Sequence, residues 1–267
     1  MKRIWTPMAF LALVTLTVLK PNLSAQSLQL EVSFDERSGG LLSLMKIPEV
    51  NLPQLTGMVI YTDWGILRPE HYEPIGSQNE NKPKVSEKTL GRTKLVIVEG
   101  KLKDKQSQPS GLRYRVVHRL NPNTLSLDIF LSAERTFKSM RGFLAVMLNF
   151  KGANEWFAHT QKGWMFAEIV SDGRLFQSID TPIDSNNPIL GVANSKTGWA
   201  IALTLKKIEP KDSIENVLIH ANRQGSGGIF LAWCDGISMR EMGAGETWFV
   251  SFTLKLLRTG ELTLSGW

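Results

Sequence analysis

Residues 248–256 read Trp-Phe-Val-Ser-Phe-Thr-Leu-Lys-Leu, and Trp248, Val250, Phe252, Leu254 and Leu256 recur at a period of two. Ser251, Thr253 and Lys255 take alternate positions between them. That period puts the five apolar side chains on one side of an extended strand, which covers a core with one face and turns the other to solvent or a second layer. The same pattern runs through Leu28, Leu30, Val32 and Phe34, through Leu125, Leu127, Ile129 and Leu131, and through Ile201, Leu203 and Leu205.

Further strands are expected at 41–46, 57–62, 93–99, 111–120, 142–150, 163–170, 189–194, 216–221 and 228–234, and no 12-residue stretch carries a helical period. The punctuation is turn chemistry: Ser38-Gly39-Gly40, Asn121-Pro122-Asn123, Ser171-Asp172-Gly173, Gly225-Ser226-Gly227-Gly228 and Gly243-Ala244-Gly245. Many short strands separated by such turns predict an all-β fold, a large antiparallel β-sandwich in which residues 26–267 form one domain.

The chain has 267 residues, 42% of them hydrophobic and 21% charged, which are proportions of a folded protein with a sizeable core. Residues 1–25 read as a secretory signal: Met1-Lys2-Arg3, an apolar run from Ile4 to Leu19, then Leu23 and Ala25 at the −3 and −1 positions. The run is shorter than the roughly 20 apolar residues that span a bilayer and contains Pro7, so no membrane insertion of the mature chain is expected. Cleavage after Ala25 removes Lys2, Arg3 and Lys20 and lowers the net charge from +6 to +3, with 28 basic and 25 acidic residues left. That small excess argues against a nucleic-acid partner, which calls for clustered Lys and Arg on a recognisable motif. Cys234 is the single cysteine, so no internal disulfide forms, and its flanks from Phe230 read as a buried strand.

One stretch breaks the strand pattern. Residues 63–92 hold three prolines and no sustained period. Trp64, His71 and Tyr72 make its first part a packed or ligand-facing loop, and 77–88 reads as a mobile tract.

The chemically useful residues fall into three groups. His118 shares an apolar face with Leu112, Tyr114, Val116 and Leu120 and reads as a core histidine, whereas His71 and His159 read as loop residues and as candidate proton carriers, with Asp235 as a further candidate. No His-x-His, His-Glu-x-x-His or Cys-x-x-Cys spacing occurs, so neither a metal site nor a cofactor is expected. Residues 154–184 bring together Trp156, His159, Trp164, Glu168 and Arg174, the flat aromatic faces and planar polar groups that a sugar site uses. Trp156 and Trp164 read equally well as core aromatics. Arg113, Arg115 and Arg119 share the polar face of one strand, as a surface for an acidic polysaccharide or as partners of neighbouring acids such as Asp128.

Three segments resemble the galactose mutarotase-like superfamily, which includes aldose 1-epimerases, sandwich domains of polysaccharide lyases and domains accompanying glycosidases. They are the strand, Gly-Gly turn and strand of 30–44, the hairpin of 112–131 through Asn-Pro-Asn, and the Gly-Glu turn at 245–246 that feeds the last strand. The resemblance implies a supersandwich-like fold. The family's epimerases pair a loop histidine with a late-strand glutamate. Here the late strand reads Ala232-Trp233-Cys234-Asp235-Gly236 with no glutamate, and the histidine motif has no clear counterpart. The expectation is therefore a secreted or periplasmic carbohydrate-binding sandwich, an accessory to polysaccharide processing, with Trp64, Trp156, Trp164, Glu168, Arg174, Arg113 and Arg115 as substrate-binding residues. The alternatives are a carbohydrate-active lyase or epimerase-like enzyme with a histidine acid/base, and a non-catalytic envelope structural protein. Sequencing the N-terminus of the exported protein is expected to read Gln26-Ser27-Leu28; retention of Met1 would refute the cleavage site.

Overall fold

A computed structural model describes residues 31–35, 39–46, 54–62, 75–122, 124–138, 143–160, 163–169, 177–181, 189–209, 216–221, 227–235 and 241–258. The residues expected to form the signal, together with Trp64, His71 and Arg174, lie outside them. Strands dominate because apolar residues at period two gain burial only when the chain is extended. They begin with β1 (Glu31–Phe34), β2 (Leu42–Lys46), β3 (Leu55–Thr62) and β4 (Ile75–Gly76), and continue after a 3-10 turn at Ser77–Asn79 with β5 (Lys84–Leu90), β6 (Thr93–Lys103) and β7 (Pro109–Asn121). β8 (Thr124–Ala133), β9 (Phe137–Lys138), β10 (Phe143–Phe150), β11 (Glu155–Thr160), β12 (Gly163–Glu168) and β13 (Gln177–Thr181) follow. The C-terminal part holds β14 (Ile189–Asn194), β15 (Trp199–Glu209), β16 (Asn216–Ala221), β17 (Gly227–Asp235), β18 (Glu241–Met242) and β19 (Thr247–Arg258).

All pairings are antiparallel and define two large sheets. The first runs β5-β6-β7-β8-β19-β15-β14-β11-β12, and the second β1-β2-β3-β10-β17-β16-β13. β4 links them, since Gly76 pairs with Tyr61 on one side and Lys103 on the other. One buried cluster joins both sheets: Trp248, Val250, Phe252, Leu254 and Leu256 of β19 meet Met58, Ile60, Val146, Leu148, Ile229 and Leu231 from the second sheet in it. The expected antiparallel sandwich is thus present, with β19 in the middle of the first sheet.

Two polar contacts cross the interior where β4 joins the sheets. Gly39 and Gly40 both have positive φ (70° and 73°), a conformation that disfavours side chains, and the Tyr114 hydroxyl donates to the Gly39 carbonyl at 2.7 Å. Glu80 is buried and accepts from the Lys103 ammonium at 2.8 Å and from the Lys82 and Lys101 N–H groups. Burial alone would push its carboxyl up; the Lys103 contact and the two backbone donors outweigh that and hold it below its ordinary value. Burial, with the Glu80 charge adding to it, raises the Tyr114 phenol well above its usual range.

The stretch 77–88 departs from expectation: it holds the 3-10 turn and most of β5, not a mobile tract. All seven β5 residues are exposed, so neither face shows an apolar period, and backbone pairing to β6 makes the strand instead. β11 and β13 were likewise unanticipated as strands. No α-helix occurs among the described residues, and no helix there is long and apolar enough to cross a membrane.

His118 is fully buried, as its apolar neighbours imply, with its ring edge-on to Phe34 at 4.8 Å. Its Nδ1 lies 3.1 Å from the Val96 carbonyl, which can only accept, so Nδ1 carries the proton and Nε2, without a partner among the described residues, stays bare. Burial lowers the pKa from 6.5 to about 4, against the opposing effect of the Val96 bond. Between those values the unfolded chain binds a proton that the folded one refuses. Stability is accordingly expected to be full above pH 6.5 and to fall by on the order of 3 kcal/mol as pH drops towards 4. Urea melts from pH 7 to 4.5 should show this slope in the native chain and a shallower one in His118→Leu.

Candidate functional site

The hairpin of β11 and β12 carries four of the residues singled out from sequence, Trp156, His159, Trp164 and Glu168. The register sets Glu155 opposite Glu168, Phe157 opposite Phe166 and His159 opposite Trp164. Trp156 and Ala158 are buried in the main core, so the alternate positions belong to the face turned away from it. His159 therefore occupies a strand, not a loop as expected, and stands in register with Trp164. Trp156 is 7% exposed and packs as a core aromatic, with its indole Nε1 unpartnered among the described residues.

A small cluster seats the outer face of the hairpin. Phe157 is fully buried with Ala193, Ala200, Ala202 and Leu257, and it lies against Gly191 so closely that a Cβ there would collide with its ring. Its cross-strand partner Phe166, with ring centroids 6.2 Å apart, is 50% exposed. The open end of the hairpin is clamped: the Asn154 amide donates to Ser195 Oγ and its carbonyl accepts from the Ser195 N–H, both at 3.0 Å. Asn194 ties the same corner by donating to the Gly152 carbonyl and accepting from the Thr197 N–H. At that braced end stand Glu155, half-buried, and Glu168, exposed, with no cation beside either among the described residues. Like charges directly opposite in a sheet are destabilising, so this arrangement costs stability. An aromatic ring open to one side and flanked by carboxylates has the chemistry to stack on a sugar and accept from its hydroxyls. No group of three or more His, Cys, Asp or Glu side chains placed to hold a metal ion occurs among the described residues.

The other residues lie elsewhere. Asp235 ends β17 in the second sheet, opposite Phe143 and beside a register shift between Leu144 and Ala145. Arg113, Arg115 and Arg119 are on β7, five strands from β11 or about 24 Å. Each is paired: Arg113 with Glu134, Arg115 with Glu99 at 3.3 Å, and Arg119 with Asp128 at 2.5 Å. Asp128 is the partner its place on the neighbouring strand suggests, and it also accepts from Ser251 at 2.7 Å. Sequence reasoning missed Phe157 and Phe166. The signal was present as two runs, 155-157-159 and 164-166-168, mirrored about the two-residue link Gln161-Lys162, which is hairpin spacing.

No protein-family model and no curated protein sequence matches the chain. Solved structures do match in shape. A galactose mutarotase related enzyme from Lactobacillus acidophilus superposes over 86% of this chain and 95% of its own, with TM-score 0.56 and 11% identity. The fold is galactose mutarotase-like. A Synechocystis protein gives TM-score 0.57 at 9% identity over 86% of this chain and 95% of its own. A candidate aldose 1-epimerase from Klebsiella pneumoniae gives 0.57 at 9% identity, over 88% and 79% respectively. At such identities the likeness concerns the mutarotase-like fold, which was the expectation from the strand and turn pattern.

Replacing Glu168 by Lys turns the like-charged pair with Glu155 into an opposite-charged one. The expected outcome is a gain of a few tenths to about 1 kcal/mol in urea unfolding, together with loss of whatever ligand the carboxylates contact.

Proposed function

We propose that this protein is an exported carbohydrate-binding sandwich, secreted or periplasmic, that holds a glycan on the outer face of the β11–β12 hairpin. The observation that carries this reading is the half-exposed Phe166 beside two carboxylates that have no cation partner among the described residues, on a braced hairpin of a mutarotase-like fold. Uncompensated like charge on a rigid frame is a cost that a bound ligand's hydroxyl donors would offset. The neighbours described as epimerases or mutarotases supply the sugar as ligand class, and the signal-like N-terminus supplies the compartment. An accessory role in polysaccharide processing, with an acidic polysaccharide as partner and no nucleic acid, is the finer form of the reading.

Catalysis is the second reading, favoured by one observation. Glu155 and Glu168 are directly opposite in the register, and hydrolysis of a glycosidic bond uses a pair of carboxyl groups. The test is a panel of neutral oligosaccharides titrated calorimetrically into the mature chain, with product analysis of each mixture. Binding is expected, weakened about tenfold or more by Phe166→Ala and by Glu168→Gln with the melting temperature kept. No binding across the panel, or binding indifferent to both changes, would refute the hairpin site. New reducing ends or unsaturated products that vanish in Glu168→Gln would replace binding by turnover.

A further inference from the structure

At the opposite end of the first sheet, the same outer face carries a different set of groups. Register and ion pairs place Lys84, Lys88, Lys101, Arg113, Arg115 and Arg119 there, against the carboxylates Glu99, Asp128 and Glu134, a formal excess of three positive charges. Arg113 and Arg115 meet their acids through Nε, and their side chains stay 57% and 46% exposed. A guanidinium held at Nε is oriented by that contact and keeps its two terminal amino groups as outward donors. The two arginines alternate on one strand, about 7 Å apart.

A stack of rings and cations extends this face inward across the sheet. The Arg115 guanidinium lies 5.6 Å from the Phe130 ring centroid, Phe130 lies 4.7 Å from Phe249, and the Lys207 ammonium lies 5.8 Å from Phe249 and 2.5 Å from Glu209 Oε1, an exposed ion pair. β7, β8, β19 and β15 are consecutive in the sheet, so Arg115 and Lys207 sit about 14 Å apart with two half-buried rings between them. The rings limit the motion of both cations and make the surface between them apolar. Exposed ion pairs hold their partners weakly, so the acids here can share their cations with an incoming anion at small cost.

We propose that this face is a binding surface for an acidic glycan, a polymer of sugars bearing carboxylate or sulfate groups. The anions meet Arg113, Arg115 and Lys207, and sugar C–H surfaces lie over the Phe130–Phe249 strip. The assignment rests on the carbohydrate reading above for the class of polymer, and on this face's own charge excess and apolar strip for the acidic kind. It is separate from the hairpin site, five strands away.

The test uses the mature chain with three probes, heparin, polygalacturonate and double-stranded DNA, each titrated at low and at physiological salt. At least one acidic glycan is expected to bind, with affinity falling as salt rises. Arg113→Gln with Arg115→Gln should weaken it about tenfold or more, Phe130→Leu with Phe249→Leu should weaken it less, and Phe166→Ala should leave it unchanged. Thermal melts of the variants, kept near that of the native chain, exclude misfolding as the cause. Absence of binding to both glycans, equal binding to DNA, or affinity unmoved by the arginine pair would overturn the proposal. Neutral oligosaccharides read the hairpin separately: loss of their binding alone sinks the earlier reading, and loss of acidic-glycan binding alone sinks this one.

Discussion

The apolar face of β19 is the constraint on which the rest of the structure depends. Its five inward side chains are buried, and the strand that bears them lies between β8 and β15, segments separated from each other by 65 residues of sequence. The first sheet is continuous only when this late segment is in place. Until then the edges of β8 and β15 are open. Such pairing is strongly non-local, and non-local closure must lose chain entropy before burial rewards it. The polar contacts of Tyr114 with Gly39 and of Glu80 with Lys103 lie near β4, the strand that pairs with both sheets.

What the sequence reveals follows from burial. Wherever one face of a strand meets the core, the period of two is plain, and β6, β7, β8, β15 and β19 could be placed from it. His118 was legible for the same reason, since its neighbours at alternate positions are all apolar. β5 was not, because a strand exposed on both faces has no apolar period and its only cause is the ladder to β6. β11 was hidden differently: Trp156 and Ala158 face one cluster while Phe157 faces another, so apolar residues on successive positions erase the alternation. The mutarotase-like fold was legible because it is written in strands and turns. The hairpin face was not, because it depends on register, which a one-residue slip would invert.

The outer face of the first sheet is electrically divided. At the β11–β12 end two carboxylates oppose one another with no cation beside them among the described residues; at the β5–β8 end acids and bases are interleaved and the bases prevail. The strands between them give these ends a separation that no side-chain movement can close. A long polymer could cross both, and a small sugar would sense only one.

The exposed strand β5 has a further consequence for how copies of the chain meet. Among the described residues it pairs only with β6, so its outer hydrogen-bonding groups form an edge. Two copies joined edge to edge about a two-fold axis would set Glu87 against Glu87 when the strands fully overlap. Displaced one way they would set Lys88 against Lys88, and displaced the other way Lys84 against Lys88 twice. Every symmetric register near full overlap is thus repulsive, and the edge carries in its charge order a guard against self-templated sheet growth.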